Sequence, residues 1–81
     1  MSAVLYGRIV AVIEDYLGPA TQRFVDRQIE YHLSKSPHEI STSDIDDLSD
    51  WIRVSMSLLT EDRQTVEECF NKLRQLKEVQ E

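Results

Sequence analysis

A chain of 81 residues with a net charge of −6 and 41% hydrophobic residues is one domain at most, with enough apolar material for a single core and none to spare for a deep substrate cleft. The negative balance excludes a general affinity for nucleic acid or anionic membranes, which both need a positive surface. Two Gly and two Pro are too few for a turn-rich all-β architecture, and abundant Leu, Ile, Val, Glu, Asp and Arg favours helices.

The reading along the chain is all-α: a compact bundle of about four short helices, near 2–17, 19–33, 42–59 and 61–77, in one domain spanning 1–81. In the first segment Leu5, Ile9, Val12, Ile13 and Tyr16 recur at helical spacing. Val4, Val10 and Ala11 widen that stripe beyond what one face needs. The stripe fits either a central helix covered on several sides or a self-association surface. The β-branched run Ile9–Ile13 also admits a buried strand; the Glu14-Asp15 continuation favours helix.

Gly18-Pro19 is the clearest break, with Gly suited to closing one helix and Pro to opening the next. The second segment then places Ala20, Phe24, Val25, Ile29 and Leu33 inward, with Arg23, Arg27 and Glu30 away from them. Ser34–His38 reads as the longest loop, because Pro37 disfavours helix just before it.

Ile40-Ser41-Thr42-Ser43-Asp44-Ile45 carries the strongest local signal. Ser41 is the expected cap, Asp44 the capping-box acid three residues on, and Ile40 and Ile45 a hydrophobic staple. Asp44, Asp46 and Asp47 suit the positive end of the helix dipole. The third helix continues through Leu48, Ile52, Met56 and Leu59, with Trp51 bordering the stripe and expected in the core. Thr60 is the expected cap of a fourth helix carrying Val66, Phe70, Leu73 and Leu76. The last few residues are expected to fray.

Chemistry is sparse. Gly7 and Gly18 cannot build a glycine-rich phosphate loop, and Gly7 is explained by close helix packing. His32 and His38 stand at no recognised metal spacing relative to Cys69 or the acids. Cys69 reads as a half-buried, inert thiol. The Asp44, Asp46, Asp47 and Asp50 set lacks the Gly turn and alternating spacing of a calcium loop. No catalytic, cofactor-binding or metal-ligating residue is expected, and the chain does not read as an enzyme. A lone cysteine forms no internal disulfide, which suits a reducing, cytoplasmic compartment. Ala3–Ile13 is apolar but too short to span a membrane, and it lacks a basic leader and a small-residue cleavage site.

The helix Ile9–Leu17, the Tyr16-Leu17-Gly18-Pro19-Ala20 turn and Phe24-Val25 after it resemble an uncharacterised helical domain. That domain lies at the C-terminus of some bacterial serine/threonine kinases and other multidomain signalling regulators. Here Ala20 follows Pro19 directly, one place earlier than in that family, and the resemblance covers about half the chain. It implies a regulatory or assembly module without catalytic residues.

The expected function is therefore a non-catalytic protein-interaction or regulatory module in prokaryotic signalling or assembly, with self-association through the first helix as one mode. The candidate interface is Val4, Leu5, Arg8 and Val12 on the first helix, with Asp46, Asp47, Asp50, Trp51 and Arg53 on the third. Trp and Arg often carry interface energy. The alternative is a small acidic inhibitor or nucleic-acid mimic that fills a basic groove on a protein. A helix-turn-helix DNA reader is disfavoured by the long central loop and the acidic start of the third helix.

Overall fold

The computed structural model describes residues 2–78, and side chains from Val4 onward; the fraying expected of the last residues falls, from Val79, outside the described residues. Every regular element among the described residues is helical. Three α-helices run for three turns or more: α1 (Ser2–Leu17), α3 (Ile45–Leu59) and α4 (Arg63–Gln75). The strand alternative for Ile9–Ile13 falls away.

The expectation of about four short helices, one of them over 19–33, is corrected at the second segment. Only Thr21–Gln28 (α2) is α-helical there. A 3-10 turn, Gly18–Ala20, leads into it, and a π turn, Ile29–Leu33, leads out. Gly18 takes the left-handed conformation at φ +59°, where a side chain would strain the backbone. Ser34, at φ 55°, ends the π turn in the same conformation.

The core is assembled from one stripe of each element. Leu5, Ile9 and Ile13 of α1 meet Val25 and Ile29, then Ile45, Leu48, Ile52 and Met56 of α3, and Val66, Cys69 and Leu73 of α4. Spacings of three and four residues put each set on one side of its helix. Ile40 seals the core from the loop and is 1% exposed. α3 packs mainly on α4 and on the second segment, whereas α1 packs on α2, α4 and the Pro37–Glu39 turn. The radius of gyration is 11.5 Å, against about 12 Å for a compact chain of this length.

Several local expectations change in the structure. Ala20 is exposed rather than inward. Gly7 is exposed, and a Cβ built on it would meet nothing within 4 Å, so it mediates no close packing. The Pro37 loop contains a 3-10 turn, Pro37–Glu39, closed by a capping box in which the Ser36 backbone N–H donates to Glu39 Oε1 at 2.9 Å. The cap of α4 is Asp62, whose Oδ1 accepts from the Thr65 N–H at 3.2 Å. Thr60 instead accepts the Asp62 N–H.

The entrance to α3 is built as the capping motif requires. Asp44 Oδ2 accepts from the Ser41 N–H at 2.9 Å, over a 3-10 turn, Thr42–Asp44, that runs into α3. Ile40 and Ile45 are buried beneath it. Lys35 Nζ reaches both Asp44 oxygens, at 3.0 and 2.8 Å, and so ties the loop to the helix start. Burial raises the Asp44 carboxyl, but the Lys35 ammonium and the Ser41 N–H outweigh it and hold the group below the ordinary carboxylate range.

A carboxyl held low in the fold contributes stability above its unfolded pKa and loses it as pH falls through the folded value. Urea unfolding of Asp44→Ala is expected to show a loss of about 1 kcal/mol at neutral pH, narrowing toward zero in acid as wild type loses the same contribution. The replacement of Ile9 by Ala, in the fully buried stripe, is expected to cost about 3 kcal/mol in the same measurement.

Candidate functional site

α3 has two flanks and an outward stripe, and they are used differently. On the flank facing α4, Arg53 Nη2 pairs with Glu67 Oε2 at 2.8 Å and its guanidinium lies 4.7 Å from the Phe70 ring centre. Arg74 approaches the same ring at 5.7 Å. Asp46 accepts Arg74 Nε at 3.4 Å and Lys77 Nζ at 3.2 Å. These contacts are half-exposed and individually weak, but together they tie Asp46 and Arg53 into the α3–α4 seam.

The other flank meets the second segment. The His32 ring stacks on Trp51 with centroids 3.9 Å apart and planes 5° from parallel. Gln28 Oε1 accepts from Ser55 Oγ at 3.1 Å. The π turn brings His32 to this position; such turns recur at functional sites. Trp51 is therefore not a core residue, contrary to expectation: it is 42% exposed, with its ring stacked against an imidazole.

The outward stripe begins where this flank ends. Trp51, Val54 and Leu58 follow one another at i, i+3 and i+7, which aligns them along the helix. Val54 is 54% and Leu58 84% exposed. Tyr31, beside His32 in the chain, is 75% exposed. Asp47, four residues before Trp51, heads the stripe and is exposed. A single exposed Leu is ordinary, whereas these large apolar groups are aligned in one row.

The nine residues expected at an interface thus separate. Leu5 belongs to the core, with no exposed surface, because it stands on the inner stripe with Ile9 and Ile13. Val12 is half-buried against that core. Val4 and Arg8 are exposed, so the wide stripe of α1 shrinks at its surface to Val4 and Ala11. Asp46 and Arg53 are held in the α4 seam. Asp47, Asp50 and Trp51 remain on the surface, and Asp47 and Trp51 lie beside Val54 and Leu58. Sequence spacing puts Ile45, Leu48, Ile52, Met56 and Leu59 on the inner stripe, although Leu59 is 63% exposed, and it gives no role to Val54 and Leu58. Their offset from Ile45, Leu48, Ile52 and Met56 was the available signal.

The remaining reactive groups are separated from one another. His38 packs edge-on against Tyr6 at 5.6 Å, and the Tyr6 hydroxyl donates to Asp26. Burial, then the hydrogen bond to the Asp26 carboxylate, pushes the Tyr6 phenol up to about 12. Cys69 is fully buried rather than half-buried, and burial pushes its thiol up to about 11. Among the described residues no three His, Cys, Asp or Glu side chains are grouped to hold a metal ion. No helix among them is long and apolar enough to cross a membrane. One surface depression, about 800 Å³, is lined by Pro19, Ala20, Gln22, Arg23, Asp26, Arg27 and Glu30. All of these come from one stretch of chain, so it is an open helix face and not a cleft.

Comparison with protein-family models, with curated proteins and with solved structures gave no match.

Two outcomes test this geometry. Trp51 is the sole tryptophan, so its fluorescence reports the stack directly: His32→Ala is expected to shift the emission to longer wavelength with the helical circular dichroism unchanged. Native protein is expected to leave Cys69 unmodified by an aromatic disulfide reagent over a time in which urea-unfolded protein reacts completely.

Proposed function

We propose that this chain is a non-catalytic protein-interaction module whose binding face is the outward stripe of α3, Trp51, Val54 and Leu58, flanked by Tyr31. The observation that carries this reading is the 84% exposure of Leu58 in line with two other large apolar side chains. Burying a Leu side chain is worth about 2 kcal/mol, and the fold leaves that gain unused on a rigid helix. Trp51 adds a large planar anchor of the kind that dominates interface energetics. Its stack on His32 fixes the ring in place, which lowers the ordering cost of binding.

A regulatory or assembly role in prokaryotic signalling is supported by the Tyr16–Ala20 turn, where Gly18 takes the left-handed conformation such a break needs. The single thiol suits a reducing, cytoplasmic setting. The acidic-mimic reading gains no observation of its own, since Asp44 is engaged by Lys35 and Asp46 by Arg74 and Lys77.

A photo-crosslinking amino acid placed at position 58 tests the proposal in the native cell. A discrete protein adduct from position 58, absent when the same group is placed at exposed Gln75 on α4, is the expected result. Equal, diffuse labelling from both positions, or none from either, would overturn it.

A further inference from the structure

The acids at the start of α3 fall into two pairs, and the fold neutralises only one of them. Asp44 is held by Lys35, and Asp46 by Arg74 and Lys77. Asp47 and Asp50 are exposed, and among the described residues no cation pairs with either. Asp47 lies in the first turn of α3, where the helix dipole favours an acid. Asp50 lies further along, beyond the reach of that effect. It follows Asp47 by three residues and Asp46 by four, the spacings at which like charges repel on a helix. Local conflicts of this kind concentrate at functional sites.

Helical spacing fixes where the two acids stand. Asp47 precedes Trp51 by four residues, and Asp50 precedes Val54 by four. Each therefore sits one turn from an apolar member of the outer row, on the same side of the helix. The row is bordered by carboxylates at its N-terminal end and is apolar from Trp51 to Leu58. Arg53, the one cation of α3, is drawn to the α4 seam by Glu67.

Resting on the reading of α3 as a binding face, we propose that its occupant is a basic amphipathic helix of another protein. That helix carries apolar residues at three- and four-residue spacing and Lys or Arg in its last turn. Among the described residues there is no strand, so a partner has no sheet edge to extend and recognition falls to side chains. A ridge of side chains on one helix packs into the groove of another. The face from Asp47 to Leu58 is about 17 Å long at 1.5 Å per residue, or about three turns of a partner helix. An antiparallel partner brings its C-terminal end, where cations are favoured, beside Asp47 and Asp50. Lys or Arg there meets two carboxylates that have no partner in the fold. An acidic helix meets repulsion from the same pair, so the two acids reject as well as select. The footprint is small beside the roughly 800 Å² per partner of a stable complex, and the complex is a transient one.

Titration of the full chain with two synthetic peptides, followed by the fluorescence of Trp51, tests the proposal. Both peptides are cross-linked into a helix and carry Leu at the stated spacing; one has Lys in its last turn and the other Glu. The Lys peptide is expected to bind at least about tenfold more tightly than the Glu peptide. Leu58→Asp, at an exposed site, is expected to weaken the Lys peptide by at least about tenfold. Asp50→Lys is expected to weaken it about fivefold, whereas Glu14→Lys, the same change of net charge at an exposed site on α1, leaves it within about twofold. Circular dichroism verifies that each variant is folded. Equal affinity for the two peptides, equal losses in the two charge variants, indifference to Leu58→Asp, or no binding at millimolar peptide would each overturn the basic-helix assignment. If one of these is found while position 58 still gives a discrete crosslinked adduct in the cell, the assignment falls and the binding-face reading stands. Absence of both peptide binding and adduct removes the two together.

Discussion

The helical period is the constraint from which the rest of this structure follows. With about 3.6 residues per turn, a helix on the outside of a small core can bury one stripe. In α3 that stripe is Ile45, Leu48, Ile52 and Met56, and all four are at most 2% exposed. Trp51, Val54 and Leu58 cannot join them without rotating the helix and withdrawing the others. The inner stripe thus determines both the packing against α4 and the composition of the surface on the opposite flank. α1 obeys the same rule: Leu5, Ile9 and Ile13 are inside, and Val4 is left outside.

The two flanks of α3 divide structural and surface roles. On the α4 side, charged groups are knitted to one another across the seam, with two guanidinium groups near the Phe70 ring. On the other side a stacked aromatic pair and one side-chain hydrogen bond hold the second segment in place, and an apolar row begins at the edge of that contact. The π turn contributes here. It brings His32 beneath Trp51, so the ring is oriented although it is not buried. Rigidity and exposure are thereby combined in one side chain, which is the condition for an anchor that binds without a large ordering cost.

Much of the fold could be read from residue order because its signals are local. Gly18-Pro19 marks a break through backbone preference alone, and the Ser41–Asp44 box with Ile40 and Ile45 requires only neighbours within five residues. The errors come from interactions between distant residues or from closely matched local choices. Local spacing puts Trp51 at the border of the core stripe, whereas its place in the structure is set by the stack on His32, nineteen positions earlier in the chain, which leaves it 42% exposed. Thr60 and Asp62 are both competent caps, and the register of α4 selects Asp62. The π turn at Ile29–Leu33 has no composition that distinguishes it from α-helix. At the candidate site, the alignment of Val54 and Leu58 with Trp51 is present as spacing, but spacing reports that residues are aligned and not which of them stay exposed.

We propose that the outer row of α3, and not the apolar stretch of α1, is where this protein meets another molecule. The most direct measurement follows the amide and side-chain resonances of the labelled chain by nuclear magnetic resonance as extract of its native cell is added at fixed pH and salt. Intensity loss centred on Trp51, Val54, Leu58 and the neighbouring Tyr31 is the predicted result. Loss centred on Val4 and Arg8, with Leu58 unchanged, would contradict it.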